Sequence, residues 1–316
     1  MPSSTTLPNP DVALALTPLH LAQIICLSDP SRPTWVIARH ARSWERLLET
    51  RPDLVFRPLD VRESLLAAVT SARQPFDALH AVPWNRFALR LERAALKSGG
   101  AVTVIEDGIG NYRPPKPLGG RERLLALAFS VLDRTIYAEH PAARPERPGL
   151  RLVSMIPERS AAGLRAEQLD PGPLRTLIPA VAHHFAAFRA LRGCPVFFDT
   201  NDATSGWIGR DRKIEILREL LPRERIVYFR HPFQSESMEG AIDGLIDMTA
   251  EAHGWAEMAC AVMQPAVVYS TFSSAILALR HLFGLPVAHA TFHTEFFART
   301  GHPGYRVESA QAAVIA

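Results

Sequence analysis

Cysteine is scarce in this chain: three residues, Cys26, Cys194 and Cys260, lie far apart, each inside an apolar stretch. So few and so scattered, they exclude a disulfide framework and a paired-cysteine metal knuckle, and they read as buried thiols in a reducing compartment. Long hydrophobic runs are also missing, and nothing approaches the roughly 20 apolar residues that cross a bilayer. Excess charge is absent too. Thirty-five Lys and Arg against 32 Asp and Glu leave a formal net charge of +3, without the basic excess of a nucleic-acid binder. No GxxxxGK[ST] occurs, which removes the P-loop nucleotide-binding modules. The leading residues MPSSTTLPNPD carry neither the basic nor the apolar region of a signal peptide. The expected location is the cytoplasm, with any membrane contact peripheral, at the inner membrane.

What the chain does contain is a globular composition, 47% hydrophobic and 21% charged, over 316 residues, enough for two domains of ordinary size. Apolar periodicity alternates between strand and helix. DVALAL, TWVIAR, LVFRPL, DALHAV and AVTVIED read as strands. Between them PLHLAQIICL, SWERLLET, RESLLAAVTSA and WNRFALRLERAALKSGG read as helices, the last closed by Gly99 and Gly100. The middle is less regular: RPPKPLGG and EHPAARPERPGLRL read as exposed Pro/Arg-rich loops around a helix RERLLALAFSVLD. A second alternation follows, with strands in CPVFFDTND, RIVYFRHP, AVVYST and PVAHATF and helices in RKIEILRELL, GWAEMACAVM and SSAILALRHLF. Strands alternating with helices imply parallel sheets covered on both faces. The expectation is an α/β protein of two Rossmann-like halves, 1–180 and 181–316.

In such sheets ligands bind beyond the carboxyl ends of the strands, and four suggestive stretches fall there. TPLHL, with Thr17 and Pro18, is a strand-to-helix turn whose free amides suit an anion or a sugar; alone it is a plain turn. VIEDGIGNY places Glu106 and Asp107 side by side before Gly108. The pair reads as a solvated strand end, or as a general base, since a carboxylate beside another gains proton affinity and Gly108 keeps the backbone open. No nearby residue has the spacing to complete a metal site. In YFRHPF, His231 ends a strand and Pro232 bars its continuation; such a His is a structural residue or a phosphate donor. In YSTFSSAIL, Ser273 and Ser274 open a helix, as caps or as hydroxyls aimed at a phosphate.

Taken in order, TPLHL, EDG, HP and SS resemble the bacterial sialyltransferases, among them the lipooligosaccharide sialyltransferases and capsular polysialyltransferases. These share an acidic D/E-D/E-G, an HP and a paired Ser/Thr. The resemblance spans most of the chain through short motifs. It implies the GT-B fold, two Rossmann-like domains facing a cleft. It also implies a CMP-activated sugar as donor, a glycan hydroxyl as acceptor, and no metal or other cofactor. It places the acceptor-activating base in EDG, with Glu106 preferred and Asp107 the alternative, and puts His231, Pro232, Ser273 and Ser274 at the CMP phosphate. Thr17, Pro18 and Gly108 would border the sugar or acceptor. Glu257 would hold the ribose, or else is a surface helix residue. Donors such as CMP-Kdo, CMP-legionaminic acid and CMP-pseudaminic acid fit the same elements, as does a noncatalytic nucleotide- or glycan-binding protein. Two departures stand out: DTNDATSG replaces a Gln-Pro-containing element of some relatives, and only a brief tail follows TFHTEFF.

Overall fold

In the computed structural model the chain divides into two compact units, Met1–Asp170 and Pro171–Ala316, where the sequence pattern set the division after residue 180. The structure describes residues 10–58, 77–81, 86–97, 99–106, 120, 148–160, 166–200, 208–232, 234, 236–271, 273–285 and 290–301. The expected helices RESLLAAVTSA and RERLLALAFSVLD, together with Asp107 and Gly108, lie outside these residues.

The first unit is built on β1 (Asp11–Ala15), buried along its whole length, as a central parallel strand covered on both faces must be. Thr17 then caps α1 (Pro18–Leu27), its Oγ accepting from the His20 amide at 3.3 Å, and Pro18 occupies the first turn, where it has no N–H to lose. β2 (Thr34–Ala38), α2 (Ala41–Leu47), β3 (Leu54–Pro58), β4 (Ala78–Ala81), α3 (Arg86–Lys97), β5 (Ala101–Val104), β6 (Leu150–Ser154) and β7 (Ala166–Gln168) follow. All pair in parallel, in the order β3-β2-β1-β4-β5-β6-β7. Val12, Leu14, Leu79, Leu91, Val102 and Val104 form its core. The chain runs outward from β1 to β3, then returns to β4 on the other flank. The carboxyl ends of β1 and β4 therefore border a topological switch point.

The second unit repeats that move. It comprises α4 (Gly172–Val181), α5 (Ala186–Arg189), β8 (Val196–Phe198), α6 (Arg210–Leu220), β9 (Ile226–Phe229), β10 (Leu245–Asp247), α7 (Ala256–Met263), β11 (Val268–Ser270), α8 (Ala275–Leu277) and α9 (Ala290–Thr300). α8 runs on as a π-helical turn, Ala278–Leu282. The parallel order is β10-β9-β8-β11, so the switch point lies between β8 and β11. One sheet face packs Phe197 and Tyr228 with Leu217 of α6 and Phe292 and Phe296 of α9; on the other, Phe229 meets Phe198 and Phe188.

Three expectations differ from these elements. The run PVAHATF was expected as a strand; its last three residues instead open α9 at Ala290, and residues 286–289 lie outside the described residues. Phe292 and Phe296 are four residues apart and both buried, on one stripe of that helix. The Pro/Arg-rich loop expected up to Leu152 instead turns at Gly149, φ +79°, and enters β6. The short strands β7 and β10 were not anticipated. β7 carries no fully buried residue and has no apolar pattern for a sequence to display.

Candidate active site

At the carboxyl edge of the first sheet, Glu106 stands two residues beyond β5 and is 1% exposed. It is no solvated strand end. Its carboxylate accepts from the Ser154 hydroxyl at 2.6 Å and from the Met155 amide at 2.9 Å. Its backbone is held equally firmly: the Glu106 N–H donates to Gln23 Oε1, and Gln23 Nε2 donates to the Glu106 carbonyl, both at 2.8 Å. Gln23 is wholly buried in α1 and acts there as a surrogate strand, pairing with one residue's donor and acceptor together. Buried polar groups that are fully bonded rigidify their surroundings. The middle of α1 and the ends of β5 and β6 are thus tied together around Glu106. Thr17 and Pro18 sit at the start of the same helix, and His20 Nδ1 accepts from the Leu16 amide at 3.2 Å. Gln23 was missed by the sequence analysis; its signal is a single amide within the otherwise apolar run LAQIICL.

The second sheet gathers the other candidates. His231 follows β9 and Ser273 and Ser274 follow β11, the two strands that flank β8. Two inter-strand spacings separate these strand ends by about 10 Å. His231 and the two serines are half-buried and Pro232 is exposed. Ser273 Oγ accepts from the Ala275 amide at 3.2 Å, which leaves its hydroxyl hydrogen as a donor. Among the described residues, the buried Ser270 Oγ at the end of β11 has no hydrogen-bond partner.

Beneath these residues lies a buried polar cluster that the sequence analysis did not identify. Lys213 of α6 and Asp199 just after β8 form an ion pair at 2.6 Å, with side-chain exposures of 1% and 0%. The Tyr228 hydroxyl donates to the other Asp199 oxygen at 2.7 Å; burial, then the Asp199 charge, push that phenol far above its ordinary range. Thr200 is the hub. Its amide donates to Asp199 Oδ1 at 2.7 Å, and its carbonyl accepts from Lys213 Nζ at 3.0 Å and Gln234 Nε2 at 2.9 Å. Its hydroxyl meets that of Thr271. Thr200 and Thr271 stand at the ends of β8 and β11, on either side of the switch point. The available signal was Lys213 itself, a cation on the same helical stripe as Leu217 and Leu220.

Glu257 is not a surface residue. It lies in the first turn of α7, 8% exposed, and burial pushes its carboxyl from 4.5 up to about 7.

No family model and no curated protein matches the chain. Among solved structures it is similar to an α/β-galactoside α-2,3-sialyltransferase from Photobacterium phosphoreum. The identity is 13%, over 87% of this chain and 90% of that one, with a TM-score of 0.50. The chain has the GT-B fold. A UDP-GlcNAc 2-epimerase from Neisseria meningitidis, 10% identical over 97% of this chain and 98% of that one, has a TM-score of 0.47. At these identities the likeness is one of fold. Among the described residues no helix is long and apolar enough to cross a membrane.

Proposed function

We propose that this protein is an inverting glycosyltransferase that moves sialic acid from CMP-sialic acid to a hydroxyl of a glycan acceptor, without a metal. The observation that carries the reading is the gathering of His231, Ser273 and Ser274 at the ends of the strands flanking β8, beside the switch point of the second sheet. Imidazole and hydroxyl donors there suit charge growing on a departing phosphate. Glu257, buried and able to hold or share a proton near neutral pH, is assigned to the ribose hydroxyls.

The acceptor side belongs to the first unit. The sequence preference was Glu106, but both of its carboxylate oxygens accept internal hydrogen bonds and it is buried. A base must meet the acceptor hydroxyl directly, and Glu106, at 1% exposure, presents almost no surface to one, so we assign the proton to Asp107 and give Glu106 the task of anchoring the chain beside it. Asp107 removes the acceptor proton as that oxygen attacks the anomeric carbon. The bond from that carbon to the phosphate oxygen breaks, its electron pair leaves with CMP, and His231 and the serines stabilise the new charge. Direct displacement inverts the anomeric centre.

The test is a donor screen by CMP release, using CMP-Neu5Ac, CMP-Kdo and CMP-legionaminic acid with mixed glycan acceptors. Turnover is expected with CMP-Neu5Ac, loss of transfer with retained CMP binding in Asp107→Asn, and loss of turnover without loss of folding in His231→Ala. Absence of CMP binding and of transfer from every donor would refute the reading. Wild-type transfer by Asp107→Asn would return the base to Glu106.

A further inference from the structure

The buried Lys213–Asp199 pair takes no direct part in the proposed transfer, since neither side chain is exposed enough to touch a ligand. Stability is a poor explanation. Desolvating two charges costs as much as their attraction returns, and an apolar pair of similar volume would serve a core equally well. What an ion pair adds is direction. Lys213 Nζ reaches both Asp199 Oδ1 and the Thr200 carbonyl, while Asp199 also binds the Thr200 amide and the Tyr228 hydroxyl. Thr200 is fixed through its donor and its acceptor at once.

From Thr200 the constraint passes both ways across the sheet. On the β9 side its carbonyl accepts from the Gln234 side chain, and the Gln234 amide donates to the His231 carbonyl at 2.9 Å. On the β11 side its hydroxyl meets Thr271, two residues before Ser273. Three strand ends are joined through one residue, and the leaving-group candidates stand at the two outer ones.

We propose that Lys213 and Asp199 are positioning residues of the donor site: through Thr200 they set the spacing between the His231 turn and the Ser273 end of β11. This rests on the second unit being the donor side. A group displaced by about 1 Å from its productive geometry can cost about 100-fold in rate, so the device acts on turnover more than on folding.

The experiment replaces both charges together, Asp199→Asn with Lys213→Met, in the full chain, so that no lone buried charge remains. Gln234→Met, which removes a single amide donor from a half-buried position, guards against failure to fold. Thermal midpoint, CMP affinity, transfer from CMP-Neu5Ac and the His231 ring resonances are measured. The expected result is a folded protein whose kcat falls at least about tenfold while its CMP affinity changes less, with shifted His231 resonances. Wild-type kcat in the folded double variant and in Gln234→Met would overturn the proposal. If wild-type protein neither binds CMP nor transfers, the donor-site reading fails separately. The ring resonances then decide the positioning role: unchanged in both variants, they overturn it, and shifted, they support it.

Discussion

Replacing Glu257 with glutamine should make the protein more stable in alkaline buffer and leave it unaltered in acid. Glu257 is buried in the first turn of α7, and that burial, only partly offset by its own backbone N–H, raises its carboxyl from 4.5 to about 7. In the unfolded chain the group ionises near 4.5, whereas the folded protein retains the proton to about 7. Between those values the native state binds more protons than the unfolded one, so stability falls as pH rises and the loss is complete above the upper value. The gap corresponds to about 3 kcal/mol. Glutamine keeps the shape and does not titrate. The variant should therefore exceed wild type by up to about 3 kcal/mol near pH 8, and the two should converge below about pH 4. Urea denaturation of both proteins across this range measures the difference directly, and groups common to both cancel. A wild-type-minus-variant difference that is flat with pH would refute the reasoning. If Glu257 also holds the ribose, the same variant should bind CMP more weakly while being the more stable protein, a trade of function against stability common at binding sites.

Ser154→Ala removes a donor from the buried Glu106 carboxylate and should destabilise the protein by about 1–3 kcal/mol in urea denaturation; an unchanged midpoint would mean that Glu106 is not held as described. Gly244 adopts φ +81°, and a Cβ there would run into the Glu224 carbonyl, a backbone group. Gly244→Ala should cost more than about 2 kcal/mol, read as a drop in thermal midpoint.

The parallel α/β character was legible because central strands such as DVALA and IVYF are continuous apolar runs between turn signals, and the helices between them are long enough to show their period. What could not be read was whatever depends on a distant partner. Gln23 and Glu106 are 83 residues apart, and nothing local tells a buried amide that replaces a ladder bond from a surface one. Lys213 likewise looked like one of several charges on α6 until Asp199 was brought beneath it. The acidic, His-Pro and Ser-Ser motifs were legible because each follows a strand. The company of the His-Pro and Ser-Ser motifs at one edge of the second sheet was not, because strand order is a property of the folded sheet. Ala290–Phe292, expected as strand and found in α9, have the opposite cause: an apolar run too short to distinguish a period of two from one of 3.6.

The strand order of the second unit also sets a timetable. β8 is its central strand, and β9, the neighbour on one flank, follows closely in the chain. The other flank stays open until β11 is made, from residue 198 to residue 268. During synthesis the backbone groups on that edge wait for a strand many seconds of translation away, beside side chains as apolar as Val196 and Phe198. Parallel pairing across such a separation is slow to form. Nascent chains that end before β11 should therefore be the species that chaperones hold and that aggregate when expression outpaces them.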